Sequence, residues 1–170
     1  MMVIVMGVCG CGKTTVGRAL ARELNCEFLD ADDFHPAENV AKMAKGVPLT
    51  DDDRWPWLDA IVAAMHERAA RGRGAVIACS ALKEVYRERL RRGGSPVDEV
   101  RLVYLKGDAA TIAPRLVSRK AHYMPASLLE SQFAALEEPG EAIVVDIRQT
   151  TDEQARQAAA ALRATSDSAA

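Results

Sequence analysis

The sequence lacks the features that mark several special classes of protein. No apolar stretch approaches the roughly 20 residues that a membrane-spanning helix needs, and the first residues carry no basic segment of a secretory signal. Basic residues are not in excess either, since 22 Lys and Arg stand against 24 Asp and Glu, for a net charge of −2 at pH 7. We therefore expect no membrane partner and no nucleic-acid partner, because nucleic-acid-binding domains are usually strongly basic.

Cysteine is scarce, and repeats and low-complexity linkers are absent. The four cysteines show no disulfide-framework spacing; they are Cys9, Cys11, Cys26 and Cys79. Together with the missing signal segment, this predicts a reducing compartment and a cytoplasmic location. The chain has 170 residues, 49% of them hydrophobic and 27% charged, which is typical of one globular domain. We expect that domain to span residues 1–164, followed by a flexible tail at 165–170.

Short apolar runs alternate with longer amphipathic stretches along the chain. The runs are rich in Val, Ile and Leu and too short for typical helices, which favours strands buried on both faces of a parallel sheet. They span residues 2–6, 27–29, 75–79, 102–105 and 142–145. Helices are predicted at residues 13–24, 57–71, 83–92, 109–119, 127–136 and 151–163. This alternation predicts a doubly wound α/β fold with helices on both sides of the sheet.

A glycine-rich segment follows the first predicted strand. Residues 7–14, GVCGCGKT, fit G-x-x-x-x-G-K-[ST] at every fixed position and lie between a predicted strand and a predicted helix, as this motif requires. Glycines let backbone N–H groups approach phosphate oxygens, and the helix N-terminus adds partial positive charge. The motif predicts a nucleotide-phosphate site formed by Gly7, Val8, Cys9, Gly10, Cys11, Gly12, Lys13, Thr14 and Thr15.

Four side chains of this segment invite specific assignments. Lys13 is expected to neutralise the β- and γ-phosphates of ATP, and the Thr14 hydroxyl to ligate Mg²⁺. Cys9 and Cys11 raise a redox or metal alternative, because thiols near a helix N-terminus can have a lowered pKa. A metal there would abolish nucleotide binding for lack of room, so we interpret both cysteines as small residues in a tight turn.

Acidic residues follow the second predicted strand. Asp30 and Asp32 lie near its carboxyl end, where ligands bind in open α/β sheets. One carboxylate would order Mg²⁺ through water, while the other would orient a substrate hydroxyl and accept its proton. The sequence leaves the division open; we assign Asp30 to the metal and Asp32 to the base. The alternative role for this acidic run is a helix N-cap, for which Asp33 is the candidate before a helix around Pro36.

Basic residues gather near the third predicted strand. Ser80 ends that strand, and Lys83 and Arg87 follow four apart, hence on one helix face. With Arg54 they suit a substrate that carries a carboxylate and several hydroxyls, because arginine pairs with carboxylates in a bidentate manner. The alternative for these cations is a solvated helix face. We interpret the acidic run at 51–53 as a helix N-terminus favoured by the helix dipole.

A second basic run lies at the end of the fourth predicted helix. Arg115 and Arg119 share a helix face, and the run continues to His122 before Pro125. This favours a mobile lid at about residues 115–126, whose arginines would fold over the phosphates and exclude water from the reaction. The alternative is the ordinary preference of basic residues for helix C-termini.

Together these motifs resemble the gluconate kinases (gluconokinases) of the P-loop small-molecule kinase group. The likeness covers almost the whole chain, through MGVCGCGKTT, FLDADDFHPAENVAKMAKGVPLTDDDRWPWL, ACSALKEVYRERLR, VYLKGD, RLVSRKAHYMPASLLESQFAALEEP and VVDI. The long second stretch and CSALK are the family-specific parts. Two departures are cysteines at 9 and 11, where serine is usual, and DIRQTT, which lacks the proline common after DI-x-Q.

The resemblance implies ATP- and Mg²⁺-dependent phosphorylation of D-gluconate at its 6-hydroxyl by a homodimer. It also implies an adenylate-kinase-like, three-layer P-loop kinase fold with a central five-stranded parallel sheet. It assigns catalysis to Lys13, Asp32 and Arg119. Lid contacts with the nucleotide fall to Arg115 and Arg119, with Arg115 a candidate to stack on adenine. Substrate contacts fall to Asp32, His35, Arg54, Ser80, Lys83, Arg87 and His122.

Two other functions stay open at this point. A related kinase with another acceptor, such as shikimate or a nucleoside monophosphate, has the same phosphate loop; shikimate is also a hydroxylated carboxylate, so charge alone does not exclude it. The stretches HPAENVAKM and CSALK favour gluconate. A nucleotide-binding regulator without catalysis is the second alternative, and it would need neither a base such as Asp32 nor a lid.

Overall fold

The apolar runs form one five-stranded sheet in which every pairing is parallel. The computed structural model describes residues 1–93, 100–117 and 126–167. The strands are β1 Met2–Met6, β2 Glu27–Asp30, β3 Ala75–Ala78, β4 Val100–Lys106 and β5 Ile143–Asp146. Their order across the sheet is β2-β3-β1-β4-β5. The carboxyl ends of β1, β2 and β3 therefore lie side by side at one edge.

Helices connect the strands and cover both faces of the sheet. Their bounds are α1 Lys13–Glu23, α2 Ala37–Ala44, α3 Asp51–Ala70, α4 Glu84–Arg91, α5 Ala109–Val117, α6 Ala126–Ala135 and α7 Thr151–Asp167. A short 3-10 helix, Ala31–Phe34, directly follows β2. This is the three-layer α/β architecture that the sequence predicts. None of the helices in the described ranges combines the length and apolarity needed to cross a membrane.

The central strand β1 explains why the apolar runs are unbroken. Val3 and Val5 belong to the core cluster that includes buried side chains of α1, α5 and α7. Ile4 and Met6 belong to the opposite cluster, which contains buried side chains of α3 and α4. Because successive side chains of a strand point to opposite faces, a sheet covered on both sides needs apolar residues at every position.

Helix α3 begins six residues earlier than predicted. It starts at Asp51, because the Thr50 hydroxyl accepts a hydrogen bond from the Asp53 N–H while the Asp53 carboxylate accepts from the Thr50 N–H. This capping box is encoded in the sequence as T-x-x-D. The interpretation of residues 51–53 as a helix N-terminus is confirmed. The helix expected around Pro36 is α2, whose N-cap is Pro36, whereas the 3-10 turn was not predicted.

The last helix and the lid region differ from expectation in other ways. Helix α7 continues to Asp167, four residues beyond its predicted end at 163, so residues 165–167 of the predicted tail are helical. Residues 168–170 lie outside the described ranges, and the flexibility of the tail stays a prediction. Of the lid at about 115–126, the structure describes only residues 115–117 and 126. Arg119 and His122 fall outside the described residues.

Candidate active site

The glycine-rich segment forms a tight loop between β1 and α1. Gly10 and Gly12 have φ values of 82° and 104°, in the left-handed region that favours glycine. A Cβ at Gly10 would lie 2.7 Å from Leu116 Cδ2 and 2.9 Å from Ile112 Cγ2. Gly12 is the N-cap residue of α1. The two glycines therefore shape the turn that leads into the helix N-terminus, where a phosphate is favourably bound.

Lys13 folds back over this loop. Its Nζ donates to the carbonyl oxygens of Gly7 and Val8 at 3.0 and 3.1 Å. A charged phosphate oxygen is a stronger acceptor than a neutral carbonyl. The Lys13 ammonium is thus held directly above the loop, within reach of an anion bound there.

The two cysteines of the loop differ in their surroundings within the protein. Cys11 is fully buried in the core, and burial raises the pKa of its thiol above the ordinary value. The Cys9 N–H donates to Gln132 Oε1 at 2.6 Å, which ties α6 to the loop. Among the residues that the structure describes, no group of three or more His, Cys, Asp or Glu side chains is placed to hold a metal.

Asp30 joins the end of β2 to the start of α1. Its Oδ2 accepts a hydrogen bond from the Thr14 hydroxyl at 3.0 Å, and its Oδ1 accepts from the Asp32 N–H at 3.2 Å. The second bond makes Asp30 the N-cap of the 3-10 helix. The N-cap of α2 is Pro36, so the N-cap suggested for Asp33 is wrong. A hydroxyl beside a carboxylate next to a phosphate loop is the hard-oxygen donor set that Mg²⁺ prefers, with water and phosphate oxygens completing its shell. These residues fit a magnesium ion.

Asp32 lies on the 3-10 helix beyond the end of β2. Neighbouring protein atoms exclude water from its carboxyl group and so raise the pKa of Asp32, although the residue as a whole is exposed. The Asp30 carboxylate adds to that rise in pKa, while His35 and Lys13 oppose it. A carboxylate with a raised pKa binds a proton more tightly than a free one, as a general base requires.

His35 is held beside Asp32 by stacking. Its ring lies 4.4 Å from the Trp57 ring at an interplanar angle of 11°, and Trp57 Nε1 donates to the Ala31 carbonyl at 2.7 Å. Partial burial lowers the pKa of His35, and the Arg54 charge acts in the same direction against that of Asp32. A neutral imidazole is therefore favoured at pH 7, suited to hydrogen bonding rather than to charge pairing.

A compact cluster of charges joins the start of α3 to the start of α4; we call it the Asp51 cluster (Asp51, Arg54, Lys83 and Tyr86). Lys83 Nζ donates to the two Asp51 carboxylate oxygens at 3.0 and 2.9 Å, and the Tyr86 hydroxyl donates to the same carboxylate. Arg54 lies 3.6 Å from Asp51 Oδ1 and 3.4 Å from the Tyr86 hydroxyl. Two cations and a phenol thus converge on one carboxylate.

Arg87 does not join this cluster. Its guanidinium is 1% exposed and donates to the carbonyls of Ala81 and Leu82, each at 2.9 Å, and to Glu84. These bonds stabilise Ala81, a non-glycine residue with a φ of 44°. The helix-face pattern placed Arg87 with Lys83, but Lys83 is the N-cap of α4 and Arg87 faces inward. The substrate contact predicted for Arg87 is not what this arrangement supports.

The remaining predicted residues lie around the loop. The Ser80 carbonyl accepts from the Gly7 N–H at 3.4 Å, which joins the ends of β3 and β1. Arg115 donates to the Ile147 carbonyl at 2.7 Å and lines a cavity of about 270 Å³ next to the phosphate loop. Sequence reasoning missed Tyr86, Asp51 and Gln132. Of these, only Asp51 had a local signal, the capping box that brings it into the first turn of α3.

Comparisons with known proteins agree with this geometry. Residues 2–139 match the AAA domain family. The thermosensitive gluconokinase of Escherichia coli (strain K12) is 43% identical over 167 residues, covering 94% of this chain and 88% of the relative. The gluconokinase of Gluconobacter oxydans (strain 621H) is 48% identical over 138 residues, covering 81% and 76%.

Solved structures give the same result at the level of the fold. A gluconokinase from Sinorhizobium meliloti 1021 superposes with a TM-score of 0.84 at 42% identity, covering 98% of this chain and 94% of that one. A shikimate kinase from Aquifex aeolicus superposes with a TM-score of 0.59 at 15% identity, covering 98% of each chain, and shares the fold alone. The phosphate loop, the aspartates after β2 and these identities together show that the chain belongs to the gluconokinase family of P-loop kinases.

Proposed function

We propose that this protein transfers the γ-phosphoryl group of ATP to the 6-hydroxyl of D-gluconate, giving 6-phospho-D-gluconate and ADP. The observation that carries the proposal is the meeting of three parts at the carboxyl edge of the sheet: the phosphate loop, Asp32 and the Asp51 cluster. This edge is where ligands bind in open α/β folds. Identities of 43% and 48% to gluconokinases over most of the chain support the same activity.

Lys13 and the loop amides hold the nucleotide in this proposal. In the transition state, negative charge is spread over the oxygens of the γ-phosphoryl group. Catalysis therefore depends chiefly on positioning the reactants and on stabilising that charge. Lys13 exchanges its bonds to the Gly7 and Val8 carbonyls for phosphate oxygens. Arg115 and Arg119 are assigned to the nucleotide side, where they exclude water so that gluconate is the acceptor.

Magnesium belongs on the Thr14 and Asp30 side of the loop. The Thr14 hydroxyl and the Asp30 carboxylate would hold it, with Asp30 acting directly or through water. When bound, the ion neutralises charge that develops on the phosphate oxygens. Because Asp30 also caps the 3-10 helix that carries Asp32, the metal side and the base are fixed to one another by a single side chain.

Asp32 is assigned to the acceptor hydroxyl. Its carboxylate accepts a hydrogen bond from the 6-hydroxyl, aims the oxygen at the γ-phosphorus and takes the proton as the new P–O bond forms. His35, Ser80 and His122 are assigned as further contacts for the gluconate hydroxyls. In its neutral form His35 offers a donor and an acceptor nitrogen, which suits a polyol.

The Asp51 cluster is assigned to the far end of the substrate. Arg54 and Lys83 carry two positive charges against the single negative charge of Asp51, so one further carboxylate is needed for balance. The gluconate carboxylate supplies that charge. Arg54 and Lys83 bind it and thereby place the 6-hydroxyl, at the other end of the carbon chain, near Asp32. Arg87 supports the Ala81–Leu82 turn rather than the substrate.

Homodimer formation and a cytoplasmic location complete the proposal. Val40, Met43 and Val47, which lie on α2 and just after it, are between 43% and 50% exposed, so an apolar surface is available for a second copy. Light scattering on the purified protein measures the mass directly and distinguishes a monomer of 18.4 kDa from a dimer.

The activity is tested by a coupled assay with ATP, Mg²⁺ and four acceptors: gluconate, shikimate, AMP and glucose. We expect turnover with gluconate, loss of turnover when Mg²⁺ is chelated, and formation of 6-phosphogluconate by ³¹P and ¹³C NMR. Preferential turnover of shikimate or AMP would mean that this compound, and not gluconate, is the acceptor. Nucleotide binding without turnover of any acceptor would mean that the protein is a regulator.

A further inference from the structure

The cavity beside the phosphate loop is lined by a residue whose buried side-chain oxygen has no hydrogen-bond partner among the described residues. Gln154, in the second turn of α7, is 3% exposed and lines the cavity together with Gly10, Thr15, Arg115 and Thr151. Its Oε1 is fully shielded, and no hydrogen-bond donor in the described part of the chain reaches it. A buried acceptor without a partner destabilises the protein, so a ligand donor that pairs with this oxygen would be favoured.

The orientation of the Gln154 amide is fixed by its other end. Nε2 lies 2.7 Å from the Gln149 carbonyl and 3.4 Å from the Ile147 carbonyl. Both neighbours are acceptors, so the group that faces them must be the NH₂ and the remaining group must be the oxygen. The unsatisfied atom is therefore an acceptor, and a ligand that pairs with it must bring a donor.

The position of the cavity says which part of a ligand would reach it. Its wall runs from the loop glycines and Thr15, where the phosphates bind, to Arg115 and the start of α7. Arg115 donates to Ile147 O, the carbonyl that also accepts from Gln154 Nε2, so the two side chains are joined through one atom. A nucleoside attached to phosphates on the loop extends along this wall.

We infer that Gln154 reads the nucleobase, with its Oε1 accepting a hydrogen bond from the exocyclic 6-amino group of adenine. This inference rests on the proposed use of ATP and adds a residue that specifies the base. A purine with hydrogen at position 6 leaves Oε1 unpaired. A purine with a 6-oxo group places its carbonyl oxygen, also an acceptor, next to Oε1, and the two oxygens repel each other. Rejection is strong in such a site because the buried polar group loses its partner.

Equilibrium binding of three nucleotides tests the inference without any acceptor substrate. Calorimetry compares the Kd of ATP, purine riboside 5′-triphosphate (hydrogen at position 6) and ITP (oxygen at position 6). In the wild-type protein we expect ATP to bind about 5- to 100-fold more tightly than the 6-hydrogen analogue, and ITP to bind more weakly than ATP. Equal affinities for ATP and the 6-hydrogen analogue would mean that the 6-amino group does not pair with Oε1, and would overturn the inference.

Gln154→Leu should bring the ratio of the two Kd values close to one, because the variant has no acceptor to satisfy. The ratio is taken within one protein, so a general loss of stability or affinity cancels. Gln157→Leu is the matched control, since Gln157 is an exposed residue on the same helix. Its Nε2 donates to the Val144 carbonyl at 3.3 Å, and neither residue lines the cavity. We expect it to keep the wild-type ratio.

An unchanged ratio in Gln154→Leu would contradict the assignment. If that variant fails to fold, the wild-type comparison still decides. Failure of gluconate turnover with a preserved preference for the 6-amino group would count against the proposed reaction and not against Gln154, so the two failures are distinguishable.

Discussion

Lys83 Nζ lies 3.0 and 2.9 Å from the two carboxylate oxygens of Asp51, across the gap between the starts of α4 and α3. The Tyr86 hydroxyl donates to the same carboxylate, and its hydrogen bond is the largest factor that holds the pKa of Asp51 below the ordinary value. Asp51 thus already partners Lys83 and Arg54, the two cations that we assign to the substrate carboxylate. Gluconate must compete with an anion of the protein itself.

This competition predicts that Asp51→Asn binds gluconate more tightly. The side chains involved are about one-third to one-half exposed, so each pair contributes at most about 1 kcal/mol. We expect the KM for gluconate to fall about two- to fivefold, with kcat little changed. Asp52→Asn, next to it on α3, is the control and should leave KM unchanged.

Arg54→Ala serves as the opposing change, because it removes a cation and should raise KM. Steady-state kinetics with varied gluconate at saturating ATP measures all three variants. A higher KM in Asp51→Asn would show that Asp51 positions the cations instead of competing with the substrate.

Asp32→Asn should remove the base and leave the nucleotide site intact. General base catalysis contributes about 10²- to 10⁴-fold to rate, so kcat should fall by that factor while the Kd for ATP stays within about twofold. Asp33→Asn is the matched control, since Asp33 is the exposed neighbour in the same 3-10 helix. Kinetics and calorimetry together check the result, and wild-type turnover in Asp32→Asn would remove Asp32 from the mechanism.

The raised pKa of Asp32 also predicts the acid side of the pH profile. A base acts only when it is ionised, so kcat/KM should rise with pH through a pKa above the ordinary value of 3.8. The midpoint is measured in wild type with gluconate far below its KM. An acid limb at or below the ordinary aspartate value would contradict the assignment.

The raised pKa of Asp32 also predicts that folding stability falls as pH rises, whereas kcat/KM rises. Because the folded protein binds the Asp32 proton more tightly than the unfolded chain, ionisation of Asp32 weakens folding as pH rises from 3.8 through the raised value. Asp32→Asn is therefore expected to have a higher Tm than wild type at pH 7. The difference should vanish in acid, where the wild-type carboxyl is protonated in both states.

Arg87→Met should destabilise the protein without weakening gluconate binding. The change leaves the buried Ala81 carbonyl without its donor, while the half-buried Leu82 carbonyl keeps the Glu137 N–H at 2.9 Å. We therefore expect the free energy of unfolding to fall by about 1–3 kcal/mol. Arg91→Met is the control, because Arg91 pairs with the same Glu84 at the surface and should change stability by less than about 0.5 kcal/mol. Urea unfolding measures both, and a raised KM with full stability would return Arg87 to the substrate set.

The sequence predicted those parts of the site that depend on local order. The phosphate-loop motif, with Gly7, Gly12, Lys13 and Thr14, lies within eight consecutive residues. Its assignment needs only a predicted strand before it and a predicted helix after it. Strand order at the carboxyl edge then brings Asp30 and Asp32 beside it. These features are written into short stretches of chain, so the fold class and the phosphate site were predictable.

The parts that failed depend on tertiary packing. A spacing of four places Lys83 and Arg87 on one helix face but does not say whether that face is turned inward, and the N-cap position of Lys83 separates the two. Tyr86, one residue earlier, reaches Asp51 through a contact between residues 35 apart. The unsatisfied oxygen of Gln154 becomes visible only when the carbonyls around it are located.

The most direct test of the account is a crystal structure of the protein with D-gluconate and a non-hydrolysable ATP analogue. We predict the nucleotide phosphates on the loop at residues 7–15, the gluconate carboxylate beside Arg54 and Lys83, and the 6-hydroxyl oxygen within about 3.2 Å of an Asp32 carboxylate oxygen. Gluconate bound away from Asp32, or with its carboxylate toward the γ-phosphate, would contradict the account.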